Sequence, residues 1–107
     1  MKHRDLRVGS LIKEELGKII LRELEFSGAI VTIGGVSVSD KLDRAEIKFS
    51  VLPFEKSAET LRILNGNRGR LRHLLLKKIN IKPMPELVFK IDPGPKKAAE
   101  VEKLLME

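Results

Sequence analysis

Seven basic residues lie between Thr60 and Pro85: Arg62, Arg68, Arg70, Arg72, Lys77, Lys78 and Lys82, without a single Asp or Glu among them. Taking these seven from the 21 Lys+Arg of the chain leaves 14 against 15 acids, so the charge is concentrated and the rest is nearly neutral. Such a local field gathers polyanions and steers them to one face. Gly66-Asn67-Arg68-Gly69 interrupts the basic stretch. Two glycines let backbone amides face outward at a helix start, where the terminus together with Arg68 and Arg70 favours a phosphate. A structural explanation of the same residues has Gly66 ending one helix, Asn67 capping the next and Gly69 conceding space to packing. Acid-free surroundings favour the phosphate reading, because a surface serving only solubility mixes its signs, as Glu14 and Lys18 do.

Other chemistry finds little support. His3 and His73, with no cysteine in the chain, are too few for a metal site. No nucleophile, histidine and carboxylate set can be read, and neither a P-loop nor a Rossmann signature is present, so no enzyme and no cofactor are expected. Tyr and Trp are absent, which excludes the aromatic stacking platforms of many RNA-binding modules. Any grip on nucleic acid must use charge and backbone geometry. Absence of cysteine fits a reducing compartment, and no apolar run approaches the roughly 20 residues that cross a bilayer, so a cytoplasmic location is expected. A rival reading takes Arg70 to Lys82 as a basic amphipathic helix that docks on an anionic membrane or an acidic protein groove.

The elements that must position this segment can be read from periodicity. Leu6, Val8, Leu11, Ile12, Leu16, Ile19, Ile20 and Leu24 recur at helical spacing and predict a helix from about Arg4 to Glu25, ended by Ser27-Gly28. Val31 and Ile33 share one parity, Val36 and Val38 the other. A strand can keep all four inward only with an extra residue between them, which places a bulge at Gly34-Gly35. Ala45, Ile47, Phe49 and Val51 alternate with polar residues as a second strand, forming a hairpin with the first. Pro53 stops it. Ser57 is expected to cap a second helix bearing Ala58, Leu61 and Leu64. Beyond the glycine break, Leu71, Leu74, Leu75 and Ile79 resume helical spacing, with Arg70, His73 and Lys77 as a stripe on the far side. Lys78 falls beside the apolar stripe, where its stem can pack and its head snorkel. Leu87, Phe89 and Ile91 alternate as a third strand, and Ala98, Val101, Leu104 and Leu105 suggest a C-terminal helix over about 95–106. The crossover between the second and third strands is long enough to make them parallel. The expectation is one α+β domain over 1–107, with its core in about 4–92 and helices on one face of a three-stranded sheet.

Several stretches resemble the bacterial ribosome-binding factor A family. They are Arg7 to Leu16, Val31-Thr32-Ile33 leading to Val36-Ser37-Val38-Ser39-Asp40, Ala45 to Leu52, and Pro85-Glu86-Leu87-Val88-Phe89 with Asp92. The Pro-Glu-Leu turn after a basic helix is the most specific. The resemblance implies a fold like a type II K-homology (KH) domain, of order α-β-β-α(kink)α-β-α. In that family the usual Gly-x-x-Gly loop is replaced by an Ala-x-Gly kink, which here falls on Asn67-Arg68-Gly69. Asn67 stands where the family often has Ala, and Gly66 restores a literal Gly-x-x-Gly. The resemblance further implies an RNA-binding assembly factor that acts late in maturation of the small (30S) ribosomal subunit and in processing of the 5′ end of 16S rRNA. Its partners would be 16S rRNA and the free 30S subunit, bound by a monomer without a membrane. Candidate RNA-binding residues are Gly66, Asn67, Arg68, Gly69, Arg70, Arg72, His73, Lys77 and Lys82, with Arg4 and Arg7 as weaker ones. The nearest alternative is a generic KH-type RNA module unconnected to the ribosome.

Overall fold

In the computed structural model, which describes residues 4–94, the chain opens with helix α1, Arg4–Glu23. Val8, Gly9, Ile12, Leu16, Ile19 and Ile20 form its buried stripe. Leu6 and Leu11, expected inside by spacing, are 64% and 45% exposed and flank that stripe. The helix stops at Glu23, two residues earlier than expected. Gly28 then turns the chain with φ +69, a conformation that suits glycine.

Strands β1 (Ile30–Val38) and β2 (Arg44–Leu52) form the expected antiparallel hairpin. Its register shifts between Ile33 and Gly35. On one side of the shift Val31 and Ile33 pair with Val51 and Phe49; on the other, Val36 and Val38 pair with Ile47 and Ala45. All four β2 partners are buried, so the bulge does what the parity change required: it keeps both halves of β1 facing the core. The Ser39 hydroxyl ties the hairpin turn. It donates to the Asp43 carboxylate at 2.5 Å and accepts from the Asp43 and Arg44 amides, both at 3.1 Å. That hydrogen bond to Ser39 is the main reason the Asp43 carboxyl is held below its ordinary pKa.

A 3-10 turn, Phe54–Lys56, leads into α2, Ser57–Gly66. Ser57 does not cap α2. Its N–H already donates to Phe54 O within the 3-10 turn, and its buried hydroxyl has no partner among the described residues. Thr60 and Leu64 are the buried residues of the helix body, whereas Ala58 is exposed. After Asn67 the chain continues as α3, Arg68–Ile79, which ends at Asn80 in the left-handed conformation (φ 39, ψ 49). Asn tolerates that region better than most residues and so serves as a stop signal here.

Strand β3, Glu86–Ile91, lies parallel to β2, in register from Arg44↔Glu86 to Phe49↔Ile91. The sheet order is β1-β2-β3. One face carries Ala45, Ile47, Phe49, Leu87 and Phe89, all buried, with Phe49 and Phe89 meeting edge to face at 6.4 Å. Ile12, Leu16 and Ile19 of α1, Leu64 of α2, and Leu71 and Leu75 of α3 join them in one cluster. Burying each such side chain stabilises the fold by roughly 1.5–3 kcal/mol. The other face exposes Arg44, Lys48 and Leu52 of β2. The expected C-terminal helix lies outside the described residues.

Candidate nucleic-acid interface

The two crossover helices meet at one residue. Asn67 has φ −109 and ψ 9, outside helical geometry, so the expected kink is present, with Arg68 and Gly69 already in the first turn of α3. The Asn67 side chain does not cap α3. Its Nδ2 donates backwards to Ile63 O at 2.8 Å, fixing the end of α2. The first amides of α3 follow, and the opening N–H groups of a helix lack intrahelical acceptors and carry its positive end.

Gly66 and Gly69 flank this break, and neither has a positive φ. A Cβ built on either would meet nothing within 4 Å. Packing therefore does not explain them, and the explanation of Gly69 as a steric concession fails. Each instead costs about 0.5–1 kcal/mol relative to Ala in a helix. What the two glycines provide is bare backbone at the surface beside the basic cluster.

Arg62, Arg68, Lys77, Lys78 and Lys82 are exposed and make no ion pair among the described residues. The expected stripe of Arg70, His73 and Lys77 faces solvent, opposite the buried Leu71 and Leu75. Two arginines are engaged. Arg70 Nη2 donates to Glu23 Oε1 at 2.6 Å, joining the end of α1 to the start of α3, and its side chain remains 53% exposed. Arg72 turns the other way, donating from Nη2 to Met84 O at 2.6 Å and from Nε to Pro85 O at 3.3 Å. Arg72 thus anchors the loop that leads into β3. Arg4 and Arg7 are exposed but stand near the far end of α1 from Glu23, about 24–29 Å along the helix at 1.5 Å per residue. The structure does not bring them to the kink.

Leu71 and Leu75 are fully buried, so the apolar side of α3 serves the core. Membrane or groove docking through that side would require the helix to leave the sheet. Among the described residues no helix is long and apolar enough to cross a membrane, and no three His, Asp or Glu side chains converge to hold a metal ion. A groove of about 620 Å³ between α1 and β1 is lined by Gly17, Leu21, Leu24 and Phe26 among others and by none of the seven basic residues.

The fold and this surface define an α+β domain of order αββααβ, in which a broken helix carries an exposed cationic face. The chain belongs to the ribosome-binding factor A family, whose profile matches residues 4–105. It is 34% identical to ribosome-binding factor A of Lactobacillus acidophilus, over 100% of this chain and 91% of that protein. It is 35% identical to that of Cupriavidus necator, over 97% and 85%. Among solved structures, a putative ribosome-binding factor A from Thermotoga maritima superposes with TM-score 0.60 at 27% identity, over 82% of this chain and 90% of that one. The crystal structure of the Thermus thermophilus factor gives TM-score 0.68 at 20% identity, over 81% and 94%. A homology model of the Thermus thermophilus factor, fitted into a cryo-EM map of a 30S–RbfA complex, gives TM-score 0.67 at 22% identity, over 80% of this chain and 93% of that one.

Proposed function

We propose that this chain is a non-catalytic assembly factor that binds the free 30S subunit and acts late in its maturation and in processing of the 5′ end of 16S rRNA. The α2–α3 break takes an rRNA phosphate on its amides, and Arg68, Arg70, His73 and Lys77 hold neighbouring phosphates, with Lys82 beyond the helix end. Arg72 contributes by holding the loop before β3, and Arg4 and Arg7 belong to a separate, outlying contact. Such contacts position a protein on RNA without reading sequence. Specificity then comes from RNA shape, since the chain has no Tyr or Trp to stack on bases. The family supports the ribosomal partner.

The observation that carries the site is the pair of glycines. Gly66 and Gly69 satisfy no packing or dihedral need and leave backbone bare in an acid-free cationic segment. A close-approaching partner supplies the missing reason. The test is binding to purified small subunits across a salt series. Each lost phosphate contact lowers the slope of log affinity against log salt by about 0.7–0.9, so Arg68→Ala and Lys77→Ala each flatten it by that amount. Gly69→Ala weakens binding while leaving the fold at least as stable. Unchanged slopes in both charge variants would refute the assignment.

A further inference from the structure

Among the described residues, Glu23 is the one acid paired with the basic segment, through Arg70, 47 positions away in the chain. Its two carboxylate oxygens are divided between two arginines: Oε1 accepts from Arg70 Nη2 at 2.6 Å, and Oε2 accepts from Arg22 Nε at 3.0 Å. Both arginines are 53% exposed, whereas the Glu23 side chain is only 23% exposed and is held beneath them. Glu23 is also the last residue of α1, where the negative end of a helix disfavours a carboxylate. Its carboxylate is balanced by two guanidiniums, Arg22 of its own helix and Arg70 in the first turn of α3.

We infer that Glu23 is an internal competitor for RNA phosphate at Arg70. This rests on reading Arg70 as a phosphate ligand. A carboxylate and a phosphodiester each offer a guanidinium one negative charge and similar acceptor geometry. Replacing one by the other at Arg70 is therefore close to an even exchange, and a single diester gains little there. A folded RNA that brings several phosphates at once to Arg70, Arg68 and Lys77 displaces Glu23, and a sparse, extended strand does not. An RNA that displaces Glu23 gives up the whole Arg70–Glu23 pair, whereas one that leaves the pair intact forgoes only its own weaker contact with Arg70, so the acid lowers affinity more for the folded RNA.

The probes are a short RNA hairpin and an oligouridine of equal length, titrated against the parent, Glu23→Gln, Arg70→Ala and the double variant. Glu23→Gln is expected to raise hairpin affinity about two- to five-fold, the range that an exposed ion pair spans, and oligouridine affinity by less. In the Arg70→Ala background the gain disappears. Glu25→Gln, which removes the same charge beyond the end of α1, gives less. The inference is overturned if Glu23→Gln matches the parent, if its gain survives without Arg70, or if Glu25→Gln reproduces it. Should Arg68→Ala, Arg70→Ala and Lys77→Ala all bind like the parent, the reading of the basic face falls, and the role of Glu23 with it. That outcome appears in different variants and is distinguishable from failure of the competition at Arg70 alone.

Discussion

Arg70 and Arg72 are two residues apart on one helix and have the same side chain, yet opposite consequences are expected from losing them. Arg72 donates to the carbonyls of Met84 and Pro85, both buried residues of the turn that delivers β3 to the sheet. Arg72→Ala removes one short charge-assisted hydrogen bond and one longer one, and leaves two carbonyls without that donor. Hydrogen bonds from a charged group contribute about 1.5–3 kcal/mol net, and orphaned acceptors cost about 1–3 kcal/mol. With partial exposure allowing water to take over some of the loss, we expect about 2 kcal/mol of destabilisation. At 4–8 °C per kcal/mol for a domain near this size, that is a fall in melting temperature of roughly 8–16 °C. Among the described residues Arg70 bonds only Glu23, across an exposed surface, and such pairs contribute about 0–1 kcal/mol. Arg70→Ala should therefore melt within a few degrees of the parent while binding small subunits more weakly. Thermal and urea unfolding of both variants, followed by circular dichroism, makes the comparison. Equal melting temperatures for the two, or an Arg72→Ala protein as stable as the parent, would refute the division of labour drawn from these contacts.

Two glycines of α1 should also part company. A Cβ at Gly9 would stand 3.1 Å from Val36 O, so Gly9→Ala forces helix and strand apart and is expected to cost about 1–3 kcal/mol. Gly17 has nothing within 4 Å, and Gly17→Ala is expected to stabilise by about 0.5–1 kcal/mol, both read by chemical denaturation. Asp43 has a depressed pKa in the folded state, so its contribution is present above the ordinary carboxylate value and is lost as pH falls through the folded value. Denaturation midpoints measured from neutral to strongly acidic pH should show a smaller acid-side loss for Asp43→Asn, and for Ser39→Ala, than for the parent.

Local regularities were the legible part of this fold. The change of parity between Ile33 and Val36 located the bulge, because a period-2 strand cannot otherwise hold Val31 and Ile33 inward together with Val36 and Val38. The long crossover implied a parallel β3, and the glycine break implied a broken helix. Errors came where neighbouring backbone overrode a side-chain signal. Ser57 looked like a cap, but the 3-10 turn ahead of it leaves Ser57 already helical (φ −62, ψ −43), and its hydroxyl meets no amide among the described residues. Leu6 and Leu11 match the helical period and still lie at the edge of the buried stripe, since the sheet covers only part of α1. Contacts over long sequence separations were not legible at all. Neither the Glu23–Arg70 pair nor the hold of Arg72 on the Met84 and Pro85 carbonyls leaves a trace in spacing or composition. These contacts divide seven similar cations into five that are free among the described residues and two that are engaged.

The central position of β2 has a consequence for synthesis of the chain. Its partner on one side, β1, leaves the ribosome before it, but its partner on the other side, β3, follows only after residues 53–85 have been made. Throughout that interval one margin of the middle strand has no mate, and the apolar faces of Leu87 and Phe89 are not yet there to close the core. A nascent polypeptide stopped short of Glu86 cannot complete this architecture, however much of its cationic segment it already possesses.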